Sequence, residues 1–321
     1  ATQDVLSYFR AGFGIAETER ATAKTVRFVP DPRGDGVRWD NRLNWDTGDL
    51  PGTVDGDSVD LGGNEVVFGG DVTVDDLAFG PDGGLVLTHG RLQVAGDLLV
   101  DRGATIDIDR AGQIWAGATT GSHPLAITVA GGRFVNTGTF DGPVKLTATG
   151  GQTLLATGGS EVRLGSRSRL HIDGAGSMIG VDGKGLALVR FAPGAVLEFT
   201  ARSGKVSPIE EFHSGAFGVS SAVRSGIDLD GASLTVNLTD PEARDPLILI
   251  DVDEVVGTLD DITVQGLGSR DASVVINYKS DIVSLQLSSG TGQVSTSEIG
   301  TQDMIDAENN EIRDRLGLVA E

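Results

Sequence analysis

Apolar and polar residues alternate in short bursts over most of this chain. From Asp57 onward the segments "DSVDLGG", "NEVVFGGD", "VTVDDLAFG", "GLVLTHG", "RLQVAGD", "LLVDRG" and "ATIDIDRAG" follow one another, each closed by Gly or an Asp-Gly-type turn. In "ATIDID" the period of two sends Ile106 and Ile108 to one face and Thr105, Asp107 and Asp109 to the other. The same beat returns in "AITVAGGRFVNTG", "VKLTATGG", "VRLGSRSRLHIDG", "LALVRFAPGAVLEFTA" and "ASLTVNLTD". Turns recur about every seven to ten residues, which fits a β-sandwich or a β-solenoid. The lack of long crossover loops, the small residues at corners and the Val, Leu and Ile at inward positions favour the solenoid. Three successive segments add to about 20 residues, the length of one three-strand coil. The pattern therefore predicts an all-β fold, a parallel β-helix (β-solenoid) with short helices at both termini.

Two helices are predicted outside the strands. Val5, Leu6 and Phe9 share a face over residues 2–12, and Gly12 is placed to stop that helix. At the other end "TQDMIDAENNEIRDRLGLVAE" sets Met304, Ile305, Ile312 and Leu316 in a narrow apolar stripe, with acids early and arginines late. Such a stripe suits docking or the zipping of three copies. Residues 1–36 read as an N-terminal helix and lead-in, 37–56 as a cap and 57–245 as the solenoid. Residues 246–288 read as terminal coils or a β-cap, and 289–321 as a polar linker and C-terminal helix. The cap is needed because a solenoid's last coils expose unpaired strand edges. Trp39 and Trp45, with Pro51 and Gly52 turning the chain, are the residues expected to form it.

Composition narrows the function. With 39% apolar but only 5% aromatic residues, the core must be aliphatic, and 47 glycines fit frequent turns. A net charge of −21 repels nucleic acid and anionic membranes, so neither is expected as a partner. There is no cysteine, hence no disulfide and no thiolate metal site. No apolar run reaches the roughly 18–20 residues of a membrane span, so no insertion is expected. The N-terminal "ATQDVLSYFRAGFG" lacks the features of a signal peptide, which leaves a removed signal, a C-terminal export address or cytoplasmic assembly as in a virion.

The pattern Trp39, Asn44-Trp45, Leu50-Pro51-Gly52, Asp57, Val59, followed by glycine-punctuated strands, resembles the start of β-helical modules in autotransporter-like bacterial surface proteins. "LILIDVDEVVGTLDDITVQGL" and "VVINYKSDIVSLQL" are similar to the terminal coils of such passengers. The resemblance implies a right-handed β-helix and surface display, but no reaction. The chain departs from it by ending in a polar helix where an autotransporter continues into a membrane barrel.

Candidate chemistry is sparse. Asp107 and Asp109, two apart on one strand face, would hold carboxyls about 6–7 Å apart, within reach of glycoside hydrolysis. Arg110 and Trp115 are the nearest cation and sugar platform. "LHID" sets His171 and Asp173 on one face as a base and its orienter, and "EEFHSG" joins Glu210 and Glu211 to His213. Outward polar positions in an acidic protein account for all of these better than a catalytic role does. "DPRGDG" and "IDLDGAS" fall short of the six to eight oxygens calcium takes, so weak calcium binding is the most they offer and no cofactor is expected. "GAGSMIG" and "DGKG" lack the helix and spacing of nucleotide loops.

Three functions follow from this reading. The first is a non-enzymatic extracellular or surface-displayed solenoid whose long face serves adhesion, scaffolding or contact with cell-surface polysaccharide or a protein partner. The second is an oligomeric, trimeric phage or virus-like-particle spike that binds host glycan. The third is a tailspike-like polysaccharide hydrolase or lyase.

Overall fold

The computed structural model describes residues 24–299, apart from 55, 122, 124, 137–139, 143, 150–151, 155–160, 174–176, 181–184, 213–222 and 241–245. The predicted terminal helices, with Met304, Ile305, Ile312 and Leu316, lie outside the described residues, as does His213. The described chain is all-β, with one 3-10 turn at Arg42–Asn44.

The strands stack in parallel as three sheets, here A, B and C, each visited in turn. Glu65–Val74 bends between sheets A and B, and Leu77–Phe79 follows in sheet C. Gly84–Val100 and Thr105–Gly121 each traverse all three faces. From there each face has its own strand, beginning with Leu125–Val129 (A), Arg133–Asn136 (B) and Phe140–Gly142 (C). In sheet A the register runs Glu65, Gly84, Thr105, Ala126, Lys145, Arg169, Val196, Ser233, Asp261. The first offsets (84 − 65 and 105 − 84) match a coil of about 20 residues. The seventh (233 − 196) is longer. These parallel pairings are consistent with a β-solenoid.

In-register stacking turns the period-two pattern into ladders. Inside sheet A, Val66, Leu85, Ile106, Ile127, Leu146, Leu170, Leu197 and Leu234 stand one above another, each 0–3% exposed. Each ladder buries aliphatic side chains against the next coil, which is why 5% aromatics suffice. Sheet C has a break in its ladder, where Thr119 stands between Leu98 and Phe140, 3% exposed. Its hydroxyl has no hydrogen-bond partner among the described residues. Thr119→Val keeps the shape and removes the orphaned group, so it is expected to stabilise the fold by about 1–3 kcal/mol, read as a raised urea midpoint at unchanged slope.

Each sheet is closed below by the N-terminal segment. Thr25–Arg27 pairs with Ser58–Asp60 beneath sheet C. Val37 and Arg38 lie along Val67 of sheet A, with Trp39 N donating to the Val67 carbonyl at 3.0 Å. Gly52 approaches Val72 and Thr73 of sheet B so closely that a Cβ would sit 2.5 Å from a Val72 methyl. Above these edges Trp39 and Trp45 are 2% and 3% exposed and meet edge to face at 5.0 Å. Phe28 and Phe68 extend that cluster.

At the other end the parallel coils run through Leu259–Gln265, and the antiparallel element starts only at Arg270. Arg270–Asn277 and Ile282–Ser289 form a hairpin whose second strand pairs antiparallel with Leu247–Asp251, extending sheet B. Tyr278 pins the hairpin by donating to the Gly257 carbonyl at 2.8 Å. Burial, aided by the charges of Glu298 and Asp230, pushes its phenol up to about 12. The segment expected to be a polar linker instead forms a further strand, Val294–Ile299, parallel to Arg270–Asn277. The reason is local. The Asp271 carboxylate accepts from the backbone of Thr291, Gly292 and Gln293 and folds the chain back onto the sheet.

Candidate functional site

The candidate residues lie in the outward columns of sheets A and B. In sheet A one outer column reads Asp107, Thr128, Thr147, His171, Glu198, Thr235, Thr263. Stacking has thus aligned Asp107 and His171, which are far apart in sequence. Three coil steps still separate them, about 14 Å at the usual strand spacing. Asp109 does not share Asp107's place, because the last sheet-A pair is Ile108 with Val129 and Asp109 follows at the corner. Both aspartates are exposed. Arg110 lies on the same strand, beyond that corner residue.

The upper half of this column is a hydrogen-bonded network. Glu198, 5% exposed, accepts from the Arg169 guanidinium one coil below and from Asn237 Nδ2 one coil above, the latter at 2.6 Å. His171 Nε2 meets Thr200 Oγ1 at 3.0 Å. Asp173 is held by the Arg202 guanidinium, not by His171. That hydrogen bond, reinforced by the charges of Arg202 and His171 against a smaller burial cost, keeps its carboxyl below the usual range. Asp173 therefore stays ionised and orients no imidazole. Its folded pKa is depressed, so its stabilising contribution is present above the ordinary carboxylate pKa and fades as pH falls through the lower folded value. Arg202→Ala is expected to return the Asp173 carboxyl toward its ordinary value, which NMR carboxyl titration against Asp173→Asn will read.

Trp115 lies on sheet B, half-buried on the outer face. The Arg91 guanidinium stacks on its ring, 4.3 Å from the centroid. Arg91 also donates to Gln93 Oε1 at 2.6 Å, and Trp115 Nε1 donates to Gln113 Oε1 at 3.4 Å. Only Trp115 of this set stands out in the sequence. Arg91, Gln93 and Gln113 come from alternating outer positions whose partners depend on stacking.

The acidic turns hold the fold together. Asp71 Oδ1 accepts from Arg91 N, and Asp76 Oδ1 from Asp97 N, each stitching one coil to the next. In "DPRGDG", Asp31 is bound by Arg33, which with the Arg33 backbone N–H lowers its pKa to about 2. Asp35 Oδ1 accepts from Val37 N, Arg38 N and Asn44 Nδ2. In "IDLDGAS", Asp228 lies beside Arg190 and accepts from Asp230 N. Among the described residues, no three His, Asp or Glu side chains gather into a metal-holding group. None of their helices is long and apolar enough to cross a membrane.

Fold and surface together define an all-β protein of stacked parallel sheets with polar side chains on their outer faces. No family model, no curated protein and no solved structure matches the chain.

Proposed function

We propose that this is a non-enzymatic, surface-displayed or secreted right-handed β-helix of the autotransporter-passenger type, presenting its outer faces for adhesion or scaffolding. The observation that carries this reading is the state of the polar groups along sheet A. Its residues are tied coil to coil, as in Arg169–Glu198–Asn237 and Asp173–Arg202, and these carboxylates face cations and amides in place of a cleft. Catalytic carboxylates work as a pair with divergent pKa values around a reacting bond, and Asp109, the nearest candidate partner of Asp107, is set apart from it at the corner. The eight coil steps between Glu65 and Asp261 span about 40 Å, a surface suited to multipoint contact.

The test is attachment without turnover. Fluorescently labelled protein is expected to bind intact bacterial cells, while isolated surface polysaccharide incubated with it gains no reducing ends and no unsaturated product. Release of either product, abolished in Asp107→Asn, would establish the depolymerase reading instead. Failure to bind any cell surface would remove the adhesive one.

A second reading, the oligomeric spike, draws on where apolar side chains meet water. Val29, Val37 and Leu43 are 42–52% exposed at the N-terminal cap, and Val294 and Ile299 are 38% and 43% exposed at the far end. Sedimentation of the full chain as a trimer would favour it, and a monomer would count against it.

A further inference from the structure

The geometry points to a binding site for neutral polysaccharide on the outer face of sheet B, centred on Trp115. This rests on the surface-binding reading above and gives that surface a ligand class. In sheet B the outward residues form two columns, Arg91–Gln113–Arg133 and Gln93–Trp115–Val135. Adjacent columns are about 7 Å apart along a strand and adjacent coils about 4.8 Å apart, so the platform has the footprint of a short oligosaccharide. Val135, though in line with Gln93 and Trp115, is fully buried, so the accessible part of that column ends at Trp115.

The side chains are locked to one another. Arg91 is fixed by Gln93 and lies on the indole, while the indole N–H is turned to Gln113. Long solvent-facing side chains ordinarily lose rotamer freedom on binding, and a set already ordered avoids most of that cost. What this layer offers is an aromatic ring, a guanidinium and two amides. Arg91 covers one face of the ring, so the part of the half-buried indole left exposed takes the apolar C–H face of a pyranose, and the polar groups take its hydroxyls. Among the described residues no acceptor engages the amide nitrogens of Gln93 or Gln113, so each retains donors for a ligand.

Charge decides for a neutral polymer. The chain's −21 field repels anionic chains, and Asp71 stands directly beside Arg91 in the adjoining coil. A protein partner would require a broader apolar patch than one half-buried indole provides.

The experiment is native affinity electrophoresis of the full chain in gels containing dextran, mannan, laminarin or galactan, with polygalacturonate as the acidic comparison. At least one neutral polymer is expected to retard the wild type and to shield one tryptophan from acrylamide. The other two tryptophans are 2–3% exposed in the cap, so the quenching signal reports Trp115. Trp115→Ala is expected to weaken retardation about tenfold or more, a loss of about 1.4 kcal/mol, with Trp115→Phe close to wild type. Thermal melts check folding, and Gln93→Ala and Gln113→Ala carry the test if Trp115→Ala unfolds. Undiminished retardation of folded Trp115→Ala would overturn this site while leaving the surface-binding reading intact. Retardation by polygalacturonate alone would overturn the neutral assignment. If no polymer retards the wild type, this inference falls, and the cell-binding experiment decides the broader reading independently.

Discussion

Truncating either cap tryptophan, Trp39→Ala or Trp45→Ala, is expected to cost about 3–5 kcal/mol of unfolding free energy. Both indoles are almost fully buried, and they form one edge-to-face cluster with Phe28 and Phe68. Trp45→Ala also removes the 2.7 Å bond from Trp45 Nε1 to the Trp39 carbonyl. Trp39 Nε1, by contrast, has no partner among the described residues, so Trp39→Phe is expected to cost much less than Trp39→Ala. Because the cluster sits over the first coil, its loss also uncovers a strand edge, and the variants should aggregate more readily on warming. Urea unfolding followed by circular dichroism, with light scattering during a thermal ramp, will check both effects. Unchanged midpoints in both Ala variants would mean that the cap does not hold the stack.

The second large effect concerns the corner between sheets A and B, where Gly70, Gly90 and Gly112 stack in register. Gly90 has φ +78°, and a Cβ there would sit 2.0 Å from the Gly70 carbonyl oxygen. At Gly112 a Cβ would come within 2.5 Å of the Leu87 carbonyl oxygen. Neighbouring coils approach backbone to backbone here, leaving no room for a side chain. Gly90→Val is therefore expected to destabilise by more than about 3 kcal/mol, combining strain of about 1–3 kcal/mol with an overpacking cost of similar size. Gly48 separates the two contributions, since its φ is +70° but a Cβ added there would meet nothing within 4 Å. Gly48→Ala should thus cost only the conformational part, about 1–2 kcal/mol. Equal midpoint shifts in the two variants would show that the close approach at Gly90 contributes nothing.

Much of the fold can be read from local pattern. Alternation in "ATIDID" places Ile106 and Ile108 inside at 0% and 1% exposure, with Asp107 outside. The same rule fails to anticipate Val294–Ile299, because "VSTSEI" carries no apolar face and becomes a strand only through its pairing and the turn held by Asp271. It also cannot separate Asp107 from Asp109, since the corner that divides them depends on how that coil lies on its neighbours.

The candidate site is still less legible. His171 and Asp173 read as a pair because they are two residues apart, yet each finds its partner in the next coil, Thr200 and Arg202. Arg91 and Trp115 show nothing in common along the chain and stack only because Gln93 and Trp115 are register partners.

The amino-acid sequence alone determined most of the strand content, the inward and outward residues, the coil length near the start and the small residues at corners. All of these follow from backbone sterics and a side-chain period of two, which act over a few residues. Only the tertiary structure decided which outward residues became neighbours. That choice is set by the register of one coil on the next, and register is fixed by the inner ladders packing together across about 20 to 40 residues of chain.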